Sequence, residues 1–262
     1  MSSFAVTRVI NASVLLELPG GAVLTDPFFK PPWYLRFDEP AGLSAGQLPP
    51  LAVLLGGHRV ADHWQPQGLR SYPYRETTAV YVASRGMVRS ARRAGFATAE
   101  VLRWGERRRP ASDLEIACLP GERAGGLRTN SYLVSSGGIN VFVGTEARGL
   151  GPIRAAAAAH RVDVAILPIN GIRLLGQPLV MDASTAVEAA RLLGASTLIP
   201  IHYSQRPIPP LLRPRSGPLD LPDQTEDGRH LSIDVIGAGQ RRVIETAAPH
   251  RPASAPRDPS SS

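Results

Sequence analysis

Leu51-Ala-Val-Leu-Leu-Gly56-Gly57-His58-Arg-Val60-Ala-Asp62-His63 is an apolar run that breaks at two glycines into a histidine-bearing loop. Leu51 to Leu55 reads as a buried strand. The loop that follows has a chemical meaning. Histidines two apart on a loop bind one metal ion, and a following Asp-His pair binds a second. Neutral imidazole and carboxylate suit zinc, manganese or iron. Two such ions, about 3.5–4 Å apart, hold a hydroxide and clamp a substrate oxygen. In this chain Val60 stands where the second histidine of such a loop would be. His58, Asp62 and His63 are left as candidates. Asp62 also reads as the N-cap of a short helix.

Working outward, the chain reads first as strands joined by turns. Phe4 to Ile10, Ala12 to Leu18 and Ala22 to Thr25 are short, β-branched and apolar, with Pro19-Gly20-Gly21 as a hairpin turn. Asp26-Pro27 opens a loop rich in proline and aromatics, Phe28 to Pro40. Further strands are predicted at Thr78 to Ala83, Glu100 to Trp104 and Leu114 to Leu119. Tyr132 to Ser135 and Ile139 to Val143 predict a hairpin around Gly137-Gly138. Helical patterns mark Met87 to Gly95, Ile153 to His160 and Ala183 to Leu193, the last starting after Asp182 and stopping before Gly194. Val162 to Leu167 and Ser196 to Ile201 are strands. After a proline-rich loop, Arg206 to Gly228, Leu231 to Ile236 and Arg241 to Glu245 are expected to pair as a closing hairpin. Strands first, then β-α alternation, predict one α/β domain over 1–246, with two sheets face to face and helices outside. Residues 247–262, rich in Pro, Ala and Ser, predict a disordered tail.

Composition removes several classes. Cys118 is the only cysteine, so an intramolecular disulfide and cysteine-built zinc clusters are excluded. Its apolar setting reads as that of a small buried hydrophobe. No segment approaches the roughly 18 apolar residues of a membrane span. Arg8, Asn11 and Glu17 interrupt the N-terminal apolar stretch, which does not read as a secretory signal, so a cytoplasmic location is expected. Net charge is +7 and the isoelectric point about 10.3. Lys30 is the only lysine among 29 basic residues, and the arginines are mostly scattered. With no aromatic RNA-binding motif and no helix-turn-helix signal, this reads as a solvated basic surface and disfavours nucleic acid as a partner.

Six ordered segments resemble the metallo-β-lactamase superfamily, and within it the L-ascorbate-6-phosphate lactonase-like branch. They are Asn11-Ala-Ser-Val-Leu-Leu-Glu17, Leu24-Thr-Asp-Pro27, Val53 to His63, Tyr132 to Glu146, Ala165-Ile-Leu-Pro-Ile169, and Met181-Asp182 through Ile199-Pro-Ile-His202. They cover most of 4–205. The resemblance implies a four-layer αββα sandwich, two mixed β-sheets packed face to face with outer helices. It also implies ligand positions. His58 matches the first histidine of the loop, Asp62 and His63 the Asp-His pair, and His202 the last histidine. Arg123, or Glu122 in a shifted register, falls at the third histidine of the first metal site. Thr145 falls at the bridging aspartate, with Glu146 one residue on. Asp26 matches a supporting aspartate. His160, His230 and His250 match no ligand position. The first metal site thus keeps only His58, while the second keeps Asp62, His63 and His202 and lacks only the bridge.

Two functions are compatible with this pattern. The first is a hydrolase with one divalent metal, zinc before manganese or iron, on Asp62, His63 and His202. A water on that metal would attack an ester, lactone, amide or phosphoester of a small molecule, with His58, Asp62 and Glu146 as catalytic groups. His58 could equally donate to an oxyanion. The second is a metal-free descendant that binds a small ligand or runs a non-hydrolytic biosynthetic step, a reading motivated by Val60, Arg123 and Thr145. Arg123 has three roles open to it: filling the vacated metal site, pairing with Glu122 or Glu146, or binding a substrate carboxylate or phosphate. Trp33, with Tyr34, either walls the pocket against substrate or forms a plain hydrophobic staple. A nuclease ranks third, because nuclease relatives use both metals and an added substrate-clamping domain. A homo-oligomer is compatible with the sequence.

Overall fold

The structure is a computed structural model that describes residues 2–124, 127–221 and 231–246. Six strands open the chain: β1 (Ser2–Ile10), β2 (Ser13–Leu18), β3 (Gly21–Thr25), β4 (Leu51–Gly56), β5 (Ala79–Val82) and β6 (Ala99–Val101). Next come β7 (Arg107–Ala111), β8 (Leu114–Ala124), β9 (Leu127–Ser136), β10 (Ile139–Val143) and β11 (Val164–Pro168). Then follow β12 (Arg173–Leu174), β13 (Gln177–Pro178), β14 (Thr197–Ile201), β15 (Leu212–Arg213), β16 (Ser232–Ile233) and β17 (Arg241–Thr246). The helices are α1 (Arg85–Arg93), α2 (Leu150–Ala159) and α3 (Ala183–Leu192).

These strands form two mixed seven-stranded sheets, ordered β17-β1-β2-β3-β4-β5-β6 and β16-β14-β11-β10-β9-β8-β7. A third, small sheet is ordered β13-β12-β15. Strand alternation explains the layering. Val14, Leu16, Val53 and Leu55 of the first sheet meet Ile116, Cys118, Tyr132, Val134, Val164 and Ile166 of the second in one apolar layer. The opposite faces are also apolar. Leu15, Leu24, Leu54 and Val80 pack with Met87 and Ala91 of α1. Leu133, Ala165, Leu167 and Leu198 pack with Ile153 and Ala156 of α2 and with Ala186 and Ala190 of α3. The result is the expected four-layer α/β sandwich with helices outside.

Asp182 caps α3 as its position predicts, its Oδ1 accepting from Thr185 N at 3.0 Å. Cys118 is buried, and that burial pushes its thiol pKa up to about 12, which keeps it protonated. No helix among the described residues is long and apolar enough to cross a membrane.

Three expectations are corrected. The segments around Leu231 and Arg241 do not pair with each other. β16 runs parallel to β14 in the second sheet, while β17 pairs antiparallel with β1 in the first. The free edge of β1 offers β17 six paired positions, whereas β16 has only two residues. A turn, with Gln240 N donating to Gly237 O, carries the chain from one sheet to the other. Asp62 does not begin a helix. His63 N and Trp64 N both donate to Val60 O, which makes a tight turn. Thirdly, the proline-rich stretch after Arg206 is not all loop, because β15 joins the small sheet through β12. The predicted tail, 247–262, lies outside the described residues.

Candidate metal centre

The candidate residues sit on loops that follow the carboxyl ends of β3, β4, β10, β11 and β14, where open α/β sheets form their crevices. Asp26 follows β3 in a left-handed conformation, φ 41°. Its Oδ1 accepts from Gly57 N at 2.7 Å, and its Oδ2 is 3.0 Å from His63 Nδ1. Gly57 has to be glycine. A Cβ there would lie 2.8 Å from Asn130 O and 2.9 Å from Thr145 Oγ1. The Val60 turn then aims Asp62 and His63 at one point. His202 follows β14 at φ 58°, with its N–H donating to Asn11 O at 3.1 Å.

Three donor atoms converge. Nε2 of His63 and Nε2 of His202 are 3.2 Å apart, and Asp62 Oδ2 is 3.7 Å from each. A point about 2.1 Å from all three exists at the centre of this triangle, which matches zinc–nitrogen and zinc–oxygen bond lengths. The donor set therefore fits one divalent ion. The Asp26 carboxylate behind His63 is the usual outer support of a ligating imidazole.

Glu146 enters the same site from the turn after β10. Its Oε1 is 2.6 Å from His63 Nε2 and 3.6 Å from His58 Nδ1. Burial by itself would raise the Glu146 carboxyl, but the neighbouring His63 and His58 outweigh it and hold the group well below the usual carboxylate range. Burial alone would lower His63; the charges of Glu146 and Asp62 and the bond to Asp26 outweigh it and hold the imidazole well above its ordinary value. His202 is lowered, by burial first and by charged His63 second. Without metal the site thus holds an imidazolium at His63, a carboxylate at Glu146 and a neutral His202. Both ring nitrogens of His58 are buried and make no hydrogen bond.

Two amides went unnoticed in the sequence. Asn11 Nδ2 donates to Asp62 O at 3.2 Å. Asn170 Nδ2 lies 3.2 Å from His202 Nδ1, oriented by Ile172 N, which donates to Asn170 Oδ1 at 3.1 Å. A signal for Asn170 existed: Pro168-Ile169-Asn170 repeats the Pro200-Ile201-His202 pattern, and β11 and β14 are parallel neighbours.

Other candidates fall elsewhere. Trp33 is 92 % exposed and does not line the cleft; its neighbour Tyr34 does. Both residues lie in a turn, which directs Trp33 to solvent. Glu122 does not join the cluster. Its Oε1 accepts from Gly149 N at 3.0 Å, and Arg148 pairs with its Oε2 at 3.5 Å. The Arg123 side chain lies outside the described residues, as do His230 and His250. Thr145 is buried beside Gly57. The cluster opens into a cleft of 480 Å³, with Asp62, His58, Glu146 and His202 at its polar end.

Residues 22–203 match the sequence profile of the beta-lactamase superfamily domain, more than half of the chain. The chain belongs to that family. No curated protein sequence matches this family member. Solved structures with the same fold are numerous. One is Igni18, a metallo hydrolase from Ignicoccus hospitalis, with TM-score 0.72 and 17 % identity over 93 % of this chain and 99 % of that one. Another is an isothiocyanate hydrolase from Delia radicum gut bacteria, with TM-score 0.74 and 15 % identity over 93 % of this chain and 100 % of that one. CmlA, a diiron β-hydroxylase from Streptomyces venezuelae, has TM-score 0.61 and 17 % identity over 77 % of this chain and 45 % of its own. At these identities the likeness is one of fold.

Proposed function

We propose that this beta-lactamase superfamily member is a hydrolase of small molecules that uses one divalent metal, held by Asp62, His63 and His202. The observation that carries this reading is the convergence of those three donors at the closed end of a cleft. Zinc suits the donors first, with manganese or iron(II) as alternatives. An ion there supplies a Lewis acid and an activated water for attack on an ester, lactone, amide or phosphoester. The protein's own groups do the rest. Asp26 fixes the His63 ring. Glu146, between His63 and His58, accepts the proton of the attacking water. His58, with no competing hydrogen bond, delivers a proton to the leaving group. Val60 and Thr145 in place of ligands support a first metal site that has been lost. The ordered sequence segments support a place near the L-ascorbate-6-phosphate lactonase-like branch.

One observation favours a metal-free reading. His63 Nε2 is already closed by Glu146, and the Asn170 NH2 faces His202 Nδ1, which leaves the His202 proton on Nε2. In that reading the chain is a ligand-binding protein or a non-hydrolytic biosynthetic enzyme. Elemental analysis separates the two. The hydrolase reading expects about one equivalent of metal after supplementation with zinc, manganese or iron(II). Less than about a tenth of an equivalent would end it.

A further inference from the structure

The polar end of the cleft is only part of its surface. The rest is made by Val60, Tyr34, Ile172, Leu174, Leu179 and Leu212, with Gln205 the main polar side chain among them. No lysine or arginine lines the cleft among the described residues, and its charged members besides the histidines are the carboxylates Asp62 and Glu146.

The apolar wall is built by the small sheet. Leu174 lies on β12 and Leu212 on β15, at paired positions. Leu175 N donates to Leu211 O at 3.0 Å, and Leu179 N donates to Ile172 O at 2.9 Å, so the wall is held together by its own backbone. Its rim stays apolar in the open at Leu174, which is 42 % exposed. The exposed surface of Leu174 is continuous with the apolar lining of the cleft. Val60 belongs to the same wall, so the residue that replaces a metal ligand in the loop adds apolar surface facing the ligand.

From this geometry we infer that the non-reacting part of the substrate is an uncharged apolar chain or ring, seated against Ile172, Leu174, Leu179 and Leu212. This rests on the reading of the cleft as the substrate site and gives that reading its substrate class. A carboxylate or phosphate on that part would face leucines and two acidic side chains, with no described lysine or arginine in the lining to receive it. An apolar chain would bury itself and the exposed leucine rim together.

The test is binding, measured by ligand-observed NMR with the full chain as purified. The probes are n-alkanamides from butanamide to octanamide and, at each length, the amide that carries a carboxylate at its far end. The dissociation constant of the amides should fall about threefold per added methylene, as burial of a CH₂ in an apolar pocket requires. Each of these charged amides should bind more weakly than the plain amide of its length. Leu174→Asp, at a half-exposed position, should weaken octanamide about tenfold or more while the circular dichroism spectrum is unchanged. An amide series flat in affinity, a series that does not bind, or far-end carboxylates that bind more tightly would each overturn the inference. The measurement needs neither metal nor turnover, so a chain shown to lack metal would end the hydrolase reading and leave this test intact.

Discussion

Asn11, Asp26 and His202 hold left-handed backbones at φ 52°, 41° and 58°, and all three touch the donor cluster. Such positions cost about 1–2 kcal/mol for an L-residue unless the surroundings hold them. Here the surroundings do: Gly57 N bonds Asp26, and His202 N bonds Asn11 O. Asn170 decides which nitrogen of His202 carries the proton. Asn170→Asp replaces the facing NH2 with an acceptor, moves the proton to Nδ1 and frees Nε2, so metal affinity should rise about tenfold; Asn170→Ala should not raise it. Chelator competition measures both. The His63–Glu146 pair sets a pH window for the metal-stripped chain. Glu146, held low, stabilises the fold above about pH 4.5 and loses this as pH falls through its native value. His63, held high, contributes fully below about pH 6.5 and loses this as pH rises through its native value. Thermal melts should therefore peak between those two values, and Glu146→Gln should shrink the decline on the alkaline side, leaving the part due to Asp62 and Asp26. An unchanged alkaline limb in that variant would count against the pair. At this scale the ionisable members of the candidate site were legible, because imidazole and carboxylate in that loop have few other uses. The amides were not, because asparagine at a strand end is common and only its facing partner gives it a role.

Among the elements, α3 is the one whose limits the sequence states outright. Asp182 Oδ1 accepts from both the backbone and the hydroxyl of Thr185. Asp182→Ala should cost about 1 kcal/mol, or roughly 2–4 °C in Tm for a chain of this size. Differential scanning calorimetry is the measurement, and a shift within error would show that water satisfies the helix end as well. The small sheet is the opposite case. Two-residue strands have no period to read, and β15 is separated from β12 by the whole of α3 and β14. The predicted closing hairpin failed for a related reason. Local pattern marks a strand but not its partner, and the open edge of β1 was the longer template.

The whole molecule is held by three apolar layers, and its candidate metal cluster sits where both sheets end together. Tyr132, on the second sheet, ties them: its hydroxyl donates to Gly56 O at 2.9 Å, on the strand that leads to the His58 loop. Burial raises the Tyr132 phenol well above its ordinary value, which keeps it a donor. Tyr132→Phe leaves that carbonyl short of a partner and should cost about 1–3 kcal/mol, read as a lower urea midpoint with an unchanged slope. A midpoint equal to wild type would show that the tie is replaceable. The sequence by itself determined the alternation that makes both sheets two-faced, the helices, the absence of disulfides, and the chemical identity of Asp62, His63 and His202. Those are local properties, written in period and residue type. Only the tertiary structure decided that Glu146 and not Thr145 meets His63, that Tyr34 and not Trp33 lines the cleft, and that leucines of the small sheet line it too. Each depends on which of two neighbouring side chains a turn directs inward, and on distances between segments as far apart as His63 and His202. Those distances are set by how the two sheets pack, and no local stretch of sequence contains them.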